Sequence, residues 1–221
     1  MEYKVGFNKV ELKEIAQVLG LTNDIGFCLK PISNNINPHN SNEVFDIRSF
    51  NKSRKLEFIN GRKCARVAME QINLKQEYIG IKKNRAPNWS KGIVGSISHT
   101  KKLCTAIVSR QTYYNSLGID IENINAVGKD IESYIITNKE LGYYKNEIFD
   151  WKTLLFSAKE STYKYLNPLY GVFPEFKDVQ IMLQSENTFE VKVDSTFKLN
   201  KVISGRYFIY KDIIITCILK G

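Results

Sequence analysis

Apolar positions along this chain recur in two rhythms. Between residues 53 and 73, Leu56, Ala65, Val67, Ala68 and Ile72 give a helical projection an apolar side, so the spacing predicts a helix there, interrupted at Gly61. Helical spacing also covers 11–19, closed by Gly20, then 128–145, and 150–166, stopped by Asn167-Pro168. Strand signals are shorter. GFNKV at 6–10 opens the chain, and LCTAIVS at 103–109 is a buried-strand run. A polar connection at 110–116 then leads to LGIDIE, so 103–122 reads as a β-hairpin. The tail is strand-rich: VQIMLQ, TFEVKVD and ISGRYFIYKDIIITCILK. Residues 31–51, rich in Asn, Ser and Pro, and KKNRAPNWSKG at 82–92 read as loops. VGSISHTKKLCTAIVSR and the final eighteen-odd residues share one layout of strand, charged turn and apolar strand. Either two similar halves meet near residue 117, or two hairpins look alike by chance.

Composition narrows the class. A chain of 221 residues suits one domain or two small ones and can bury a sizeable core. No apolar run approaches the length of a membrane span, and the first residues lack the apolar centre of a signal peptide, so a cytoplasmic protein is expected. Cys28, Cys64, Cys104 and Cys217 are scattered without a C-x-x-C pair, and His39 and His99 are the two histidines, which argues for buried thiols over a zinc site. The net charge of +9 leaves open nucleic acid, an anionic membrane surface, or an acidic or phosphorylated partner. Its basic residues are dispersed, which disfavours a nucleic-acid-binding arm, and no nucleic-acid motif accompanies them.

Three motifs carry chemistry. In GIDIE, Asp120 and Glu122 point to one face of a strand while Ile119 and Ile121 point to the other. Alone, the pair is a solvated strand face; together with a cation it is an all-oxygen site of the kind that takes Mg²⁺ or Mn²⁺. In FSAKESTYK, Glu160 and Lys164 share a helix face and alone make an ordinary surface ion pair. Glu160 also offers a third carboxylate. In GSISHT, Gly95 permits an unusual turn, and Ser98 and His99 can each donate to phosphate. A Ser/His nucleophile is disfavoured, because neighbours on a strand face opposite ways and no third group is evident. Upstream, Arg54, Arg62, Arg66, Lys82, Lys83 and Arg85 form a diffuse basic set. Arg54 and Arg62 fall within about 80° of each other on a continuous helix, so both can face one anion.

FINGRKCARVAM, NRAPNWSKGIVGSISHT, SLGIDIE and FSAKESTYKYLNP, in this order and spacing, resemble the 4′-phosphopantetheinyl transferases of the two-halved Sfp/EntD type over residues 48–180. The family often reads W-P-x-G where this chain has Trp89-Ser90-Lys91-Gly92. The resemblance implies an α+β pseudo-dimer of two similar subdomains, 1–116 and 117–221, acting as a monomer, unlike the shorter trimeric AcpS-like relatives. It implies coenzyme A as co-substrate, Mg²⁺ on Asp120, Glu122 and Glu160, and an acidic acyl, peptidyl or aryl carrier protein as partner, without nucleic acid or membrane. Arg54 and Arg62 would hold the adenosine 3′-phosphate end, and Lys82, Lys83 and Arg85 the adenine and phosphates. Ser98, His99, Lys164 and Lys159 would contact phosphate, with Asp120, Glu160 and Lys164 as the catalytic set. A non-catalytic coenzyme A binder is the rival reading, and the presence of all three carboxylates argues against it.

Overall fold

Asn8 and Glu11 decide how the described chain begins. The Asn8 side chain accepts from the backbone of Val10 and Glu11, and Glu11 returns a carboxylate to the Asn8 N–H. This reciprocal capping starts helix α1 (Lys9–Val18) where GFNKV read as a strand. The computed structural model describes residues 6–145, 147, 149–171, 174–197 and 202–220. After α1 come β1 (Ile25–Pro31), α2 (Ser41–Ile47), α3 (Lys52–Gln71), β2 (Gly80–Ile81), β3 (Pro87–Asn88), β4 (Ile93–His99) and β5 (Leu103–Arg110). Then follow β6 (Gly118–Asn123), α4 (Lys129–Ile135), α5 (Asn138–Tyr144), α6 (Trp151–Tyr170), β7 (Val179–Leu183), β8 (Thr188–Val193), β9 (Ile203–Tyr210) and β10 (Ile213–Lys220).

The main strands form two antiparallel sheets, one ordered β1-β5-β4 and the other β6-β10-β9-β8-β7. The same topology occurs in both: a first strand pairs with the second strand of a hairpin, β4–β5 in one and β9–β10 in the other. A long helix covers each, α3 on the first sheet and α6 on the second. In each sheet a glycine lets the helix backbone touch the strand. A Cβ on Gly26 would lie 1.8 Å from the Ala68 carbonyl oxygen, and one on Gly118 would lie 2.1 Å from that of Ser161. The opposite faces share one core, in which Leu29 and Ile107 meet Ile119, Ile121 and Ile215 under Ile15 of α1 and its cap residue Leu19. The fold is α+β, as the resemblance implies.

Several expectations fail for identifiable reasons. β5 does not form a hairpin with β6; it pairs with β4 through a three-residue turn, and β6 joins the second sheet. The polar stretch at 111–117 is thus the connection between sheets. Residues 31–51 contain α2, capped by Asn40. Gly61 does not break α3, since a Cβ there would press on Ile97 at 2.9 Å, so close packing explains it. Gly95 lies inside β4, not in a turn, beneath the Trp89 ring. Residues 128–145 split into α4 and α5, because Thr137 and Glu140 form a fresh capping box. Pro168 sits in the last turn of α6, which continues to a left-handed Gly171 cap. Cys28, Cys64, Cys104 and Cys217 are buried free thiols. Among the described residues no helix is long and apolar enough to cross a membrane.

Candidate active site

The two sheets meet where β4 lies beside β6, and side chains join them. Ile119 N donates to Ser96 Oγ at 3.0 Å. Strand alternation turns Ser96 and Ser98 toward β6, and sends Ile97 and His99 toward α3. On β6, Ile119 and Ile121 are fully buried in the shared core, which leaves Asp120 on the face covered by α6. There Ser98 Oγ donates to Asp120 Oδ1 at 2.7 Å. Lys164 Nζ, arriving from α6, donates to the same oxygen at 2.6 Å and to Ser98 Oγ at 3.0 Å. Three elements thereby place a hydroxyl, a carboxylate and an ammonium in mutual contact. Asp120 is 2% exposed, and its second oxygen, Oδ2, is buried without a hydrogen-bond partner. An open lone-pair site on a buried carboxylate is costly unless something binds it.

Glu122 and Glu160 face the same place. Burial, the Asp120 charge and Glu160 push Glu122 up to about 8, with Lys164 opposing. Burial also raises Glu160, with Lys164 pulling down and Asp120 pushing up. The Asp120 charge raises both glutamates, and a site that gathers carboxylates in this way gains from a cation. The donors are all oxygen, which suits Mg²⁺. Among the described residues no three His, Cys, Asp or Glu side chains converge closely enough to grip a metal ion as they stand. The donor set and the unpartnered Asp120 oxygen fit such an ion; its first cationic neighbour here is Lys164.

Beside this cluster, Arg54 Nη1 of α3 donates to Glu57 Oε2 at 3.2 Å and to His99 Nε2 at 3.0 Å. A guanidinium can only donate, so His99 Nε2 accepts and the ring is neutral. Burial lowers the His99 pKa, Arg54 and Lys164 add to that, and Glu57 opposes them. Glu57 has no motif signal in the sequence beyond its one-turn spacing from Arg54.

Two of the expected phosphate ligands point elsewhere. Lys159 is 2% exposed, and its ammonium donates to Glu140 Oε2 at 2.8 Å, Ile135 O at 2.7 Å and Phe176 O at 2.9 Å. One residue from Glu160 on a helix, it is turned by about 100° and faces α4 and α5 instead of the seam. Its Glu140 partner was invisible to motif reading, although Thr137-x-x-Glu140 is a helix-start signal. Arg62 is 5% exposed and donates to Ile79 O at 2.8 Å and Gly80 O at 3.0 Å, with its guanidinium over the Phe58 ring. Its guanidinium holds the β2–β3 hairpin. Lys82, Lys83 and Arg85 are exposed at the tip of that hairpin. The tip reaches the second sheet's helix through Asn84 Nδ2, which donates to Asn167 Oδ1 at 3.1 Å. Asn84 had no signal of its own in the sequence, and Asn167 read only as part of a helix stop. Arg66, from the diffuse basic set, is buried against Glu43.

The family model for the 4′-phosphopantetheinyl transferase N-terminal domain matches residues 43–109, and that for the 4′-phosphopantetheinyl transferase superfamily matches residues 116–218. The chain is 28% identical over 170 residues to 4′-phosphopantetheinyl transferase Npt of Nocardia iowensis, spanning 76% of each chain. It is 31% identical over 138 residues to 4′-phosphopantetheinyl transferase PptT of Mycobacterium tuberculosis, spanning 61% of each. Against enterobactin synthase component D of Escherichia coli (strain K12) it is 36% identical over 118 residues, 51% of this chain and 55% of that one. The match thus covers little more than half of the last two relatives. With the two family models reaching across both sheets and the seam that joins them, the chain belongs to the 4′-phosphopantetheinyl transferases, an enzyme family.

Proposed function

We propose that this protein transfers the 4′-phosphopantetheine arm of coenzyme A to a serine hydroxyl of an apo acyl, peptidyl or aryl carrier protein, releasing 3′,5′-ADP. The observation that carries the reading is the Ser98–Asp120–Lys164 cluster at the seam, with one buried Asp120 oxygen left open beside Glu122 and Glu160. Relatives named as 4′-phosphopantetheinyl transferases support it. Asp120, Glu122 and Glu160 would hold Mg²⁺, which supplies charge neutralisation at the pyrophosphate. Phosphoryl transfer needs positioning and charge more than covalent help.

Lys164 brings an ammonium to the pyrophosphate, where negative charge gathers on the departing ADP. Ser98 and the neutral His99 orient phosphate oxygens from the β4 side. Glu160, raised by burial, takes the proton of the carrier serine as its oxygen bonds to the β-phosphorus and the bond from that phosphorus to the ADP oxygen breaks. Residues 1–116 and 117–221 act as two halves around this cleft, a reading supported by the repeated sheet topology. The enzyme works as a cytoplasmic monomer on an acidic partner, which the +9 charge favours.

Incubation with coenzyme A, Mg²⁺ and a panel of apo carrier proteins tests this by intact mass. One phosphopantetheine arm should appear on at least one carrier and be lost when EDTA replaces Mg²⁺. No gain on any carrier rejects the transferase reading, and undiminished gain in EDTA rejects the metal assignment.

A further inference from the structure

The contact between Asn84 and Asn167 joins residues 83 apart in sequence and links the hairpin of one half to the long helix of the other. Asn84 lies in a tight turn between β2 and β3, closed by Lys82 N to Ala86 O at 2.9 Å and Arg85 N to Lys82 O at 2.8 Å. Arg85 takes the left-handed conformation that this turn demands, with φ 66°. Within the turn, Asn84 Oδ1 accepts from Ala86 N at 3.2 Å while Asn84 Nδ2 donates across to α6. One side chain therefore braces the turn with its oxygen and docks it with its nitrogen. Aspartate could brace but not donate.

The docking point matters because of where Asn167 lies. Residues 160, 164 and 167 follow helical i, i+4, i+7 spacing, so Asn167 shares the α6 face of Glu160 and Lys164. It lies about 4.5 Å further along the axis than Lys164. At its base the same hairpin is held by Arg62, through the Ile79 and Gly80 carbonyls. Fixed at both ends, the turn carries Lys82, Lys83 and Arg85, all exposed, around Asn84, which docks on the Asn167 end of the row that holds Glu160 and Lys164.

We propose that the Asn84–Asn167 amide bridge is a positioning device for the phosphorylated co-substrate: it holds the basic turn of one half against the Lys164 helix of the other, so that both grip a single ligand. The proposal rests on the coenzyme A reading above. With the bridge cut, the turn must be ordered when ligand binds, and that cost falls on affinity and not on the chemical step. The fold itself depends little on one bond at an exposed turn.

A double-mutant cycle reads this out, with Asn84→Ala, Asn167→Leu and the pair, each assayed for coenzyme A affinity by calorimetry, for KM and kcat, and for Tm. Each single variant should weaken coenzyme A binding and raise its KM by roughly fivefold to tenfold, the equivalent of one net hydrogen bond. Turnover at saturating coenzyme A and Tm should stay near wild type, and the double variant should be no worse than the weaker single. Unchanged affinity in the single variants, additive losses in the pair, or a fall in Tm and kcat without a change in KM would each overturn the bridge. Wild-type protein that binds no coenzyme A would instead overturn the functional reading, and the bridge with it.

Discussion

Asp120 shows how one carboxyl group can take three roles at once: acceptor for Ser98, counter-ion for Lys164, and a buried oxygen open to a ligand. Its neighbour Glu122 makes the site's electrostatics measurable. A carboxyl pushed up to about 8 in the folded protein, against an ordinary 4.5, binds more protons folded than unfolded. Its contribution to stability is intact below about pH 4.5 and is lost as pH rises toward 8. Thermal unfolding in EDTA should therefore show Tm falling from pH 5 to pH 8.5, and Glu122→Gln should flatten that slope; parallel curves would show that Glu122 does not titrate in this range. Mg²⁺ should restore more stability at pH 8 than at pH 5.5, since binding has to release the proton. Lys159 gives the opposite kind of prediction. Lys159→Met strands the fully buried Glu140 and should cost about 3–5 kcal/mol by denaturant unfolding. The folded fraction should keep a near-normal KM for coenzyme A. A large rise in KM at full folding would return Lys159 to the ligand.

At the scale of elements, the site's geometry is set by how closely α6 approaches β6. Gly118 allows contact with the Ser161 carbonyl, so Gly118→Ala should drive the helix off the strand, lowering stability by about 1–3 kcal/mol and separating Lys164 from Asp120. Gly142, on the exposed side of α5 with open space around its Cα, is the control. Gly142→Ala should stabilise by about 0.5–1 kcal/mol through helix propensity alone, with activity unchanged. Equal effects at the two positions, read by denaturant midpoints, would contradict the close-packing account. The helices of the site were legible because the apolar periodicity of α3 and α6 is a property of the local chain. Strand β1 was not: Gly26 and a run of seven residues give little alternation, and its role comes from α3 packing on it.

At the scale of the molecule, two sheets that share a three-strand pattern meet at a seam, in a chain of net charge +9. If the partner is an acidic carrier protein, kcat/KM for the carrier should fall steeply between low and moderate salt while kcat stays nearly constant. A salt-independent rate would argue against electrostatic steering. What the sequence by itself determined is what short-range geometry enforces. Asp120 and Glu122 share a strand face, Ile119 and Ile121 anchor the other, and Glu160 and Lys164 share a helix face, since periods of two and 3.6 are built into the backbone. Tertiary structure alone decided that β5 pairs with β4 and β1 instead of β6, that Lys159 turns into a buried ion pair beside Glu160, and that Arg62 holds the β2–β3 hairpin. It also decided that Asn84 meets Asn167. These outcomes depend on which surfaces bury one another across long loops, and on satisfying each buried charge or donor at its final place, so no local stretch of sequence contains them.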